Sequence, residues 1–295
     1  MAESNPRRWA FALACVLGCQ RSPHATPDAG AGRVVSLSPS TTEALFAVGS
    51  GSQLVGRSRF CNRPPEVLAP PQVGGYADPS LEAILGLAPT LVIGAYGPAG
   101  KSMSEQLEAR GVRTSFVRTE SWEDVGRMLV DLGERTGHAT EGHQAAETLR
   151  TDTEAAEAEF RGRPVPRVLL VFGISPIFVA GPGGFPDEMT RRAGAENVVR
   201  EGGAYPTLPG ERVVSLDPDV VVNLAMDESE GAQRITADLP VWRELRAVRE
   251  GRVAQVTDDA ALRPGPRLAS GLRSLGRAIH EAGDAAARAR QEGPR

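Results

Sequence analysis

The sequence has 295 residues, which is enough for two domains of ordinary size or for one large domain. Hydrophobic residues make up 41% and charged residues 24% of the chain, a balance typical of soluble globular proteins. The formal net charge is -4, and no long basic run occurs. A nucleic-acid partner is therefore not expected, because neutralising phosphates requires clustered positive charge.

The N-terminus, residues 1–19, predicts an export signal. An arginine pair precedes the apolar stretch 9–18, which is too short to span a bilayer. Residues 16–19, Val-Leu-Gly-Cys, resemble the lipobox of bacterial lipoproteins, which implies that Cys19 is acylated and anchors the mature protein to a membrane. The alternative is an ordinary cleaved signal in which Cys19 has no role. Residues 20–32, rich in Pro, Ala and Gly, predict a flexible tether.

The three cysteines fit an exported protein without an internal disulfide. Cys15 would leave with the signal and Cys19 would carry lipid, so that only Cys61 remains. No Cys/His spacing typical of a zinc site occurs. Cys61 is therefore predicted to be a small buried residue, not a nucleophile.

From residue 33 onward, short β-branched runs alternate with helical patterns, which is typical of α/β architecture. Ser38 is predicted to cap a helix that ends at Gly49. The other predicted elements of this half are strands at 33–37, 91–95 and 112–117, and helices at 81–87, 102–110 and 122–136.

One stretch, about 140–161, contains no proline and predicts a continuous helix of roughly 30 Å. Strands at 168–172 and 220–224 follow it. This order predicts an N-terminal α/β lobe at 33–138, a connecting helix at 139–163 and a C-terminal α/β lobe at 164–295. The alternative is one domain in which the long helix is an ordinary packed helix.

An internal repeat favours two lobes. Residues 82–93 and 211–222 both follow the pattern E-x-[IV]-[LV]-x-L-x-P-x-[LV]-V-[IV]. Core packing explains the shared apolar positions, but it does not explain a glutamate at the same outer position, Glu82 and Glu211. We therefore predict two similar α/β lobes, each with a central sheet, joined by one long α-helix.

Several short blocks occur in an order and spacing that resemble the helical-backbone class of periplasmic binding proteins. They are R-V-V-S-L-S-P-S-T-T-E at 33–43, P-P at 64–65, V-G-G-Y at 73–76, L-E-A-I at 81–84, F-G-I-S-P at 172–176, G-A-E-N at 194–197 and P-G-P-R at 264–267. Proteins of this class serve ABC importers of vitamin B12, haem and ferric siderophores. The resemblance implies a monomeric carrier without catalytic activity, in the periplasm or at the cell surface, with its ligand in the cleft between the lobes.

The same resemblance implies a role for the repeated glutamates. In this class, one rim glutamate of each lobe docks onto arginines of the dimeric permease, and Glu82 and Glu211 stand at the matching positions. Exposed opposite charges steer encounter and fix register more than they add affinity. The alternative is that each is a solvated glutamate at a helix start, where the helix dipole favours it.

The resemblance is greatest to the cobalamin-binding members, and it implies the ligand site. The residues at matching positions are Phe60, Tyr76, Tyr96, Phe172, Phe178 and Tyr205, together with Asp259 and Arg263. Aromatic rings bury apolar area at low entropic cost, and a few polar groups fix orientation, which suits a corrin ring. The sequence departs from those receptors at Tyr76, Tyr205 and Ala260, where they carry tryptophan.

Two other ligands of the same class stay open. Tyr76 could ligate the ferric iron of haem through its phenolate, although His138, His143 and His280 lie outside the predicted cleft and are expected on the surface. A ferric siderophore is the other alternative, since an arginine cluster near Phe60 could meet an anion. That cluster consists of Arg57, Arg59 and Arg63. A bare transition-metal site is not expected, for want of convergent ligands.

Two alternatives lie outside transport. No G-x-S-x-G, G-x-G-x-x-G or P-loop pattern occurs, which argues against an enzyme on this scaffold. A solitary surface lipoprotein that scavenges or senses its ligand without an importer would leave the pairing of Glu82 and Glu211 without a purpose.

Overall fold

A computed structural model describes residues 32–97, 100–224, 226–227, 231–232 and 234–292. The predicted signal, Cys19 and all but the last residue of the predicted tether lie outside the described residues. Within the described part, no helix is both long and apolar enough to cross a membrane.

The first lobe contains a four-stranded parallel sheet in the order β2-β1-β3-β4. Its elements are β1 (Val34–Ser36), α1 (Pro39–Ala47), β2 (Leu54–Arg57), α2 (Leu81–Gly86), β3 (Leu91–Ala95), α3 (Gly100–Glu108), β4 (Arg113–Val117) and α4 (Trp122–Thr136). The inner strands β1 and β3 are almost wholly buried, as expected for a parallel sheet covered on both faces. Local signals fix the helix ends: the Ser38 side chain caps α1, and α4 starts with a capping box of Ser121 and Asp124.

The predicted long helix is present as α5 (Ala139–Ala158), which has 20 residues and is therefore about 30 Å long. It ends at Ala158, and irregular turns occupy the remainder of the predicted connector up to residue 163. The helix packs against α4 of the first lobe and against the C-terminal helix α9 (Leu268–Glu292). Helix α5 therefore contacts one helix from each half of the chain.

The second lobe has a mixed sheet in the order β11-β8-β5-β6, with β7 also paired to β5. Strand β6 runs antiparallel to β5. Strands β7 and β8 each pair with β5 in parallel, and β11 pairs with β8 in parallel. The remaining elements are β5 (Arg167–Ile174), β6 (Ile177–Val179), α6 (Phe185–Arg192), β7 (Glu196–Asn197), α7 (Gly210–Leu216), β8 (Val220–Asn223), β9 (Met226–Asp227), β10 (Gly231–Ala232), α8 (Arg246–Arg249) and β11 (Val253–Gln255). The prediction of two α/β lobes, each with a central sheet, is confirmed, and both sheets are largely parallel.

The internal repeat is visible in the backbone. Each copy forms a short helix followed by a central strand, α2 with β3 and α7 with β8. The equivalent residues Ile84 and Val213 are fully buried. Ala88 and Asp217, also equivalent, are the non-glycine residues with positive φ in the described part of the chain, at +45° and +38°. Two copies that share this uncommon backbone conformation are one structural unit used twice.

Candidate functional site

The carboxyl ends of the two sheets meet at a polar floor. Asn62 and Arg63 lie shortly after β2, and Asp259 and Arg263 lie shortly after β11. The Arg263 guanidinium donates to Asn62 Oδ1 at 3.0 Å, and Arg63 Nε lies 3.6 Å from Asp259 Oδ2. Ligands of open α/β sheets bind outside the carboxyl ends of the strands. The floor therefore lies where a ligand between the lobes is expected.

Arg267 ties this floor to the buried start of the first lobe. Its guanidinium makes a bidentate pair with Glu43 of α1 at 2.7 and 2.8 Å, and it lies 2.9 Å from Asp259 Oδ1. Burial acts to raise the pKa of Asp259, but the hydrogen bond from Arg267 and the charges of Arg263, Arg267 and Arg63 outweigh it and lower that pKa. Asp259 is therefore an anion over the whole physiological pH range.

The first lobe presents three partly exposed aromatic rings near this floor. The Tyr76 hydroxyl donates to the Tyr96 carbonyl oxygen at 2.9 Å. The guanidinium of Arg118 lies over the Tyr96 ring at 5.4 Å, and that of Arg59 lies over the Phe60 ring at 5.1 Å. Phe60, Tyr76 and Tyr96 are 36%, 38% and 54% exposed, which is high for rings of this size.

The second lobe presents a compact aromatic cluster. Phe172 of β5, Phe178 of β6 and Tyr205 have ring centroids 5.9 to 6.0 Å apart, within the range of favourable aromatic pairs. Burial, together with the negative charge of Glu120, raises the pKa of Tyr205. Glu120, whose charge acts on Tyr205, follows β4 at the carboxyl edge of the first lobe's sheet.

The structure thus places the eight predicted ligand residues in three groups: the rings of the first lobe, the aromatic cluster of the second lobe and the polar floor. Sequence reasoning did not single out Glu43 or Arg267 as members of the site. Both lie in blocks that carry the family resemblance, 33–43 and 264–267, and this was the available signal. The ligand-binding role of the eight residues stays a prediction.

Arg57, Arg59 and Arg63 do not form one solvated cluster. Arg57 is only 6% exposed, and its guanidinium donates to the carbonyl oxygens of Ser58 and Cys61. Arg59 instead pairs with Asp78, at 2.7 Å. Arg57 is therefore not available to an anionic ligand, because it holds the loop after β2. Cys61 is fully buried, as predicted.

The docking candidates occupy equivalent places. Glu82 is the second residue of α2 and Glu211 is the second residue of α7. Both are exposed, and among the described residues neither makes an ion pair. Each carboxylate is therefore open to a partner.

A duplicated arginine anchor, which the sequence analysis missed, holds both α2 and α7. Arg33 donates to the carbonyl oxygens of Leu87 and Ala88 at 2.7 to 3.2 Å. Arg167 donates to the equivalent oxygens of Leu216 and Asp217 at 2.9 and 2.8 Å. Each arginine thereby satisfies the free carbonyls at the end of its helix. The signal was a basic residue at the start of the first strand of each half: Arg33 directly precedes β1, and Arg167 is the first residue of β5.

The family model of the periplasmic binding proteins matches residues 34–260. The chain belongs to this family. The vitamin B12-binding protein of Salmonella typhimurium is 31% identical over 191 residues, which are 64% of this chain and 71% of that protein. The vitamin B12-binding protein of Vibrio parahaemolyticus is 29% identical over 247 residues, 81% of this chain and 86% of that protein.

This periplasmic binding protein is also similar to a protein of known structure. The apo form of the periplasmic heme-binding protein RhuT from Roseiflexus sp. RS-1 superposes with a TM-score of 0.76 at 27% identity, covering 86% of this chain and 100% of that chain. The relatives named by sequence and by structure thus differ in ligand. The shared feature is the fold.

Tyr76 is the residue predicted to ligate iron if the ligand is haem. Burial raises the pKa of its phenol, and its proton is used in the hydrogen bond to Tyr96. Within the described residues, no group of three or more His, Cys, Asp and Glu side chains could hold a metal ion. His280 is not on the surface, as had been expected: it is 3% exposed, and its Nε2 lies 2.9 Å from the Ala193 carbonyl oxygen.

Proposed function

We propose that this periplasmic binding protein captures cobalamin or a related corrinoid between its lobes and delivers it to the permease dimer of an ABC importer. It acts as a monomeric carrier without catalytic turnover. Acylation of Cys19 anchors it to a membrane, in the periplasm or at the cell surface. The vitamin B12-binding relatives support this assignment.

The observation that carries the proposal is the arrangement of rings around a charged floor. Partly exposed aromatic rings lie at the carboxyl edge of each sheet, and Asp259 and Arg263 belong to the polar floor where the two edges meet. A corrin has a broad apolar face and amide groups at its edge. The rings would cover the face, while carboxylate and guanidinium groups would accept from and donate to the amides.

Haem is the second candidate, because the heme-binding RhuT is structurally similar to the chain and Tyr76 is partly exposed. Ligation of iron by the Tyr76 phenolate requires loss of a proton that the present geometry retains. The hydrogen bond to Tyr96 must break, and burial already raises the pKa of the phenol. The geometry therefore favours a ligand that stacks on Tyr76 as a neutral phenol.

The ligand is identified by titrating protein that starts after Cys19 with cyanocobalamin, hemin and a ferric hydroxamate. Calorimetry gives affinity and stoichiometry, and visible spectra identify the bound chromophore. We expect tight one-to-one binding of cyanocobalamin. Binding of hemin alone, with a tyrosinate spectrum that disappears in Tyr76→Phe, would show that the ligand is haem and not cobalamin.

Docking is tested by the double variant Glu82→Ala/Glu211→Ala. We expect uptake by cells to be lost while ligand affinity is unchanged, because both carboxylates are exposed at helix starts and neither residue belongs to the polar floor. The matched control is Glu105→Ala/Glu281→Ala, which removes one exposed glutamate from each half of the chain. Weakened ligand binding in the Glu82/Glu211 variant would contradict the docking role.

A further inference from the structure

An apolar groove lies on the second lobe beside Glu211. It has a volume of about 440 Å³ and lies between the β5–β6 turn, the segment before α7 and residues 239–242. Its walls include the side chains of Ile174, Ile177, Leu208, Leu239, Val241 and Trp242. Most of these residues belong to the core cluster that packs on α7 and α8, on one face of the second sheet.

The groove is separate from the ligand cleft. Side chains alternate across a strand, so that Ile177 and Phe178 of β6 lie on opposite faces. Ile177 lines the groove, whereas Phe178 belongs to the aromatic cluster with Phe172 and Tyr205. Leu208, whose amide donates to the Ile177 carbonyl oxygen at 2.9 Å, is on the groove side. A molecule in the groove would therefore not touch the aromatic cluster.

The groove is continuous with the docking carboxylate. Gly210, the first residue of α7, lines it, and the exposed Glu211 is the next residue. Any group that pairs with Glu211 therefore comes within one residue of an open apolar surface. An apolar depression beside a carboxylate is complementary to a protein surface that carries a cation next to an apolar side chain. An anionic membrane surface would be repelled by the same carboxylate.

We propose that this groove receives an apolar side chain of the permease, from the same segment that presents a cation to Glu211. The inference rests on the proposed docking role of Glu211 and extends it. The charge pair steers the encounter and fixes register, and the apolar side chain buried beside it slows dissociation. The second lobe would thus bind the permease through two adjacent anchors.

The test places a charge in the groove without touching the cleft. Leu239→Asp and the milder Leu239→Ser alter a half-buried loop residue, and Val165→Asp is the control, since Val165 is 64% exposed and precedes β5. Each variant is examined for its melting temperature, its affinity for cyanocobalamin and hemin, and its support of uptake in cells that lack the native protein. The uptake substrate is whichever of the two the unaltered protein binds.

We expect Leu239→Asp to reduce uptake at least about tenfold, equivalent to about 1.4 kcal/mol of docking free energy. Ligand affinity should not change, and the melting temperature should fall only modestly, because Leu239 packs at the half-buried edge of the core cluster. Leu239→Ser should give a smaller loss, and Val165→Asp none. Normal uptake by both Leu239 variants, while the Glu82/Glu211 variant fails, would overturn the groove inference and leave the proposed function standing. Normal uptake by the Glu82/Glu211 variant would contradict the docking role itself.

Two further outcomes would assign the groove differently. Reduced ligand affinity in the Leu239 variants would make the groove part of the ligand site. A dimer of the unaltered protein that becomes a monomer in Leu239→Asp, seen by size-exclusion chromatography with light scattering, would make it an interface between copies of this chain. Either result contradicts the proposal.

Discussion

At the scale of single residues, Gly97 determines where Tyr76 can lie. A Cβ atom at position 97 would be 1.8 Å from the Tyr76 hydroxyl oxygen, a distance no side chain tolerates. Glycine at position 97 leaves room for the Tyr76 side chain to reach the backbone of Tyr96, the residue before Gly97. There the Tyr76 hydroxyl donates to the Tyr96 carbonyl oxygen. The orientation of the ring thus depends on a residue that itself contributes no side chain to the site.

We predict that Gly97→Ala weakens cyanocobalamin binding about tenfold, a loss of about 1.4 kcal/mol, because the Tyr76 ring must leave its position. Since the ring is partly exposed, little stability is lost. Calorimetric titration and thermal unfolding measure both effects. The control is Gly126→Ala in α4, where an added Cβ meets nothing within 4 Å. Affinity equal to that of the unaltered protein in Gly97→Ala would show that Tyr76 does not contact the ligand.

Asp259 gives a pH-dependent prediction. Its pKa is lower in the folded protein than the usual value of about 3.9. A carboxyl group with a lowered folded pKa contributes stability above its unfolded pKa and loses it as the pH falls through the folded pKa. Asp259→Asn should therefore be less stable than the unaltered protein at pH 7, and the difference should shrink below about pH 4.

Urea unfolding at pH 7, 5 and 3 measures this difference. The same difference at all three pH values would mean that the loss arises from packing and not from the ionised carboxylate. The sequence placed Asp259 and Arg263 in the site, but it could not predict the ion pairs of Arg267, because Glu43 is more than two hundred positions away in the chain and no local pattern joins them.

At the scale of elements, the repeated anchors Arg33 and Arg167 hold α2 and α7. Both helices are short, with six and seven residues, and have little helical stability of their own. Their orientation, and with it that of Glu82 and Glu211, depends on contacts at their C-terminal ends. The matched hydrogen bonds therefore hold the equivalent helix of each lobe in the same way.

We predict that Arg33→Gln and Arg167→Gln each lower the free energy of unfolding by about 1 to 2 kcal/mol, because hydrogen bonds from a charged group are lost. Hydrogen exchange should quicken in α2 and in α7, respectively, and cyanocobalamin affinity should not change. Arg200→Gln is the control, since Arg200 pairs with Glu196 on an exposed surface. Faster exchange spread over the whole lobe would contradict a local anchoring role.

Elements with strong local signals were predicted closely, and those fixed by tertiary contacts were not. The predicted bounds of β3 and α4 match the structure, since a buried β-branched run and a capping box define them. Helix α9 was not predicted, because glycines interrupt its pattern. Gly276 is needed there for close packing: a Cβ atom would lie 2.2 Å from the Phe160 ring. Such a contact is invisible in the local sequence.

At the scale of the whole molecule, the two lobes are tied together at two places besides α5. The first is the polar floor, where Arg267 pairs with the buried Glu43. The second joins the start of α4 to α6: Trp122 stacks on Phe185 at 5.5 Å, and Arg192 lies over the Trp122 ring at 4.8 Å. These ties limit how far the lobes can separate or close. We therefore expect the cleft to be largely preformed and the energetic cost of reorganisation on binding to be small.

The central claim is that one ligand contacts both lobes at once, and variants divided between the lobes test it most directly. Calorimetric titration of cyanocobalamin is compared for Tyr76→Ala in the first lobe, Tyr205→Ala in the second, the double variant and the exposed control Val165→Ala. We predict that each tyrosine variant weakens one-to-one binding about tenfold and the double variant about a hundredfold, as independent contacts should. Unchanged affinity in either single tyrosine variant would contradict a ligand held between the lobes.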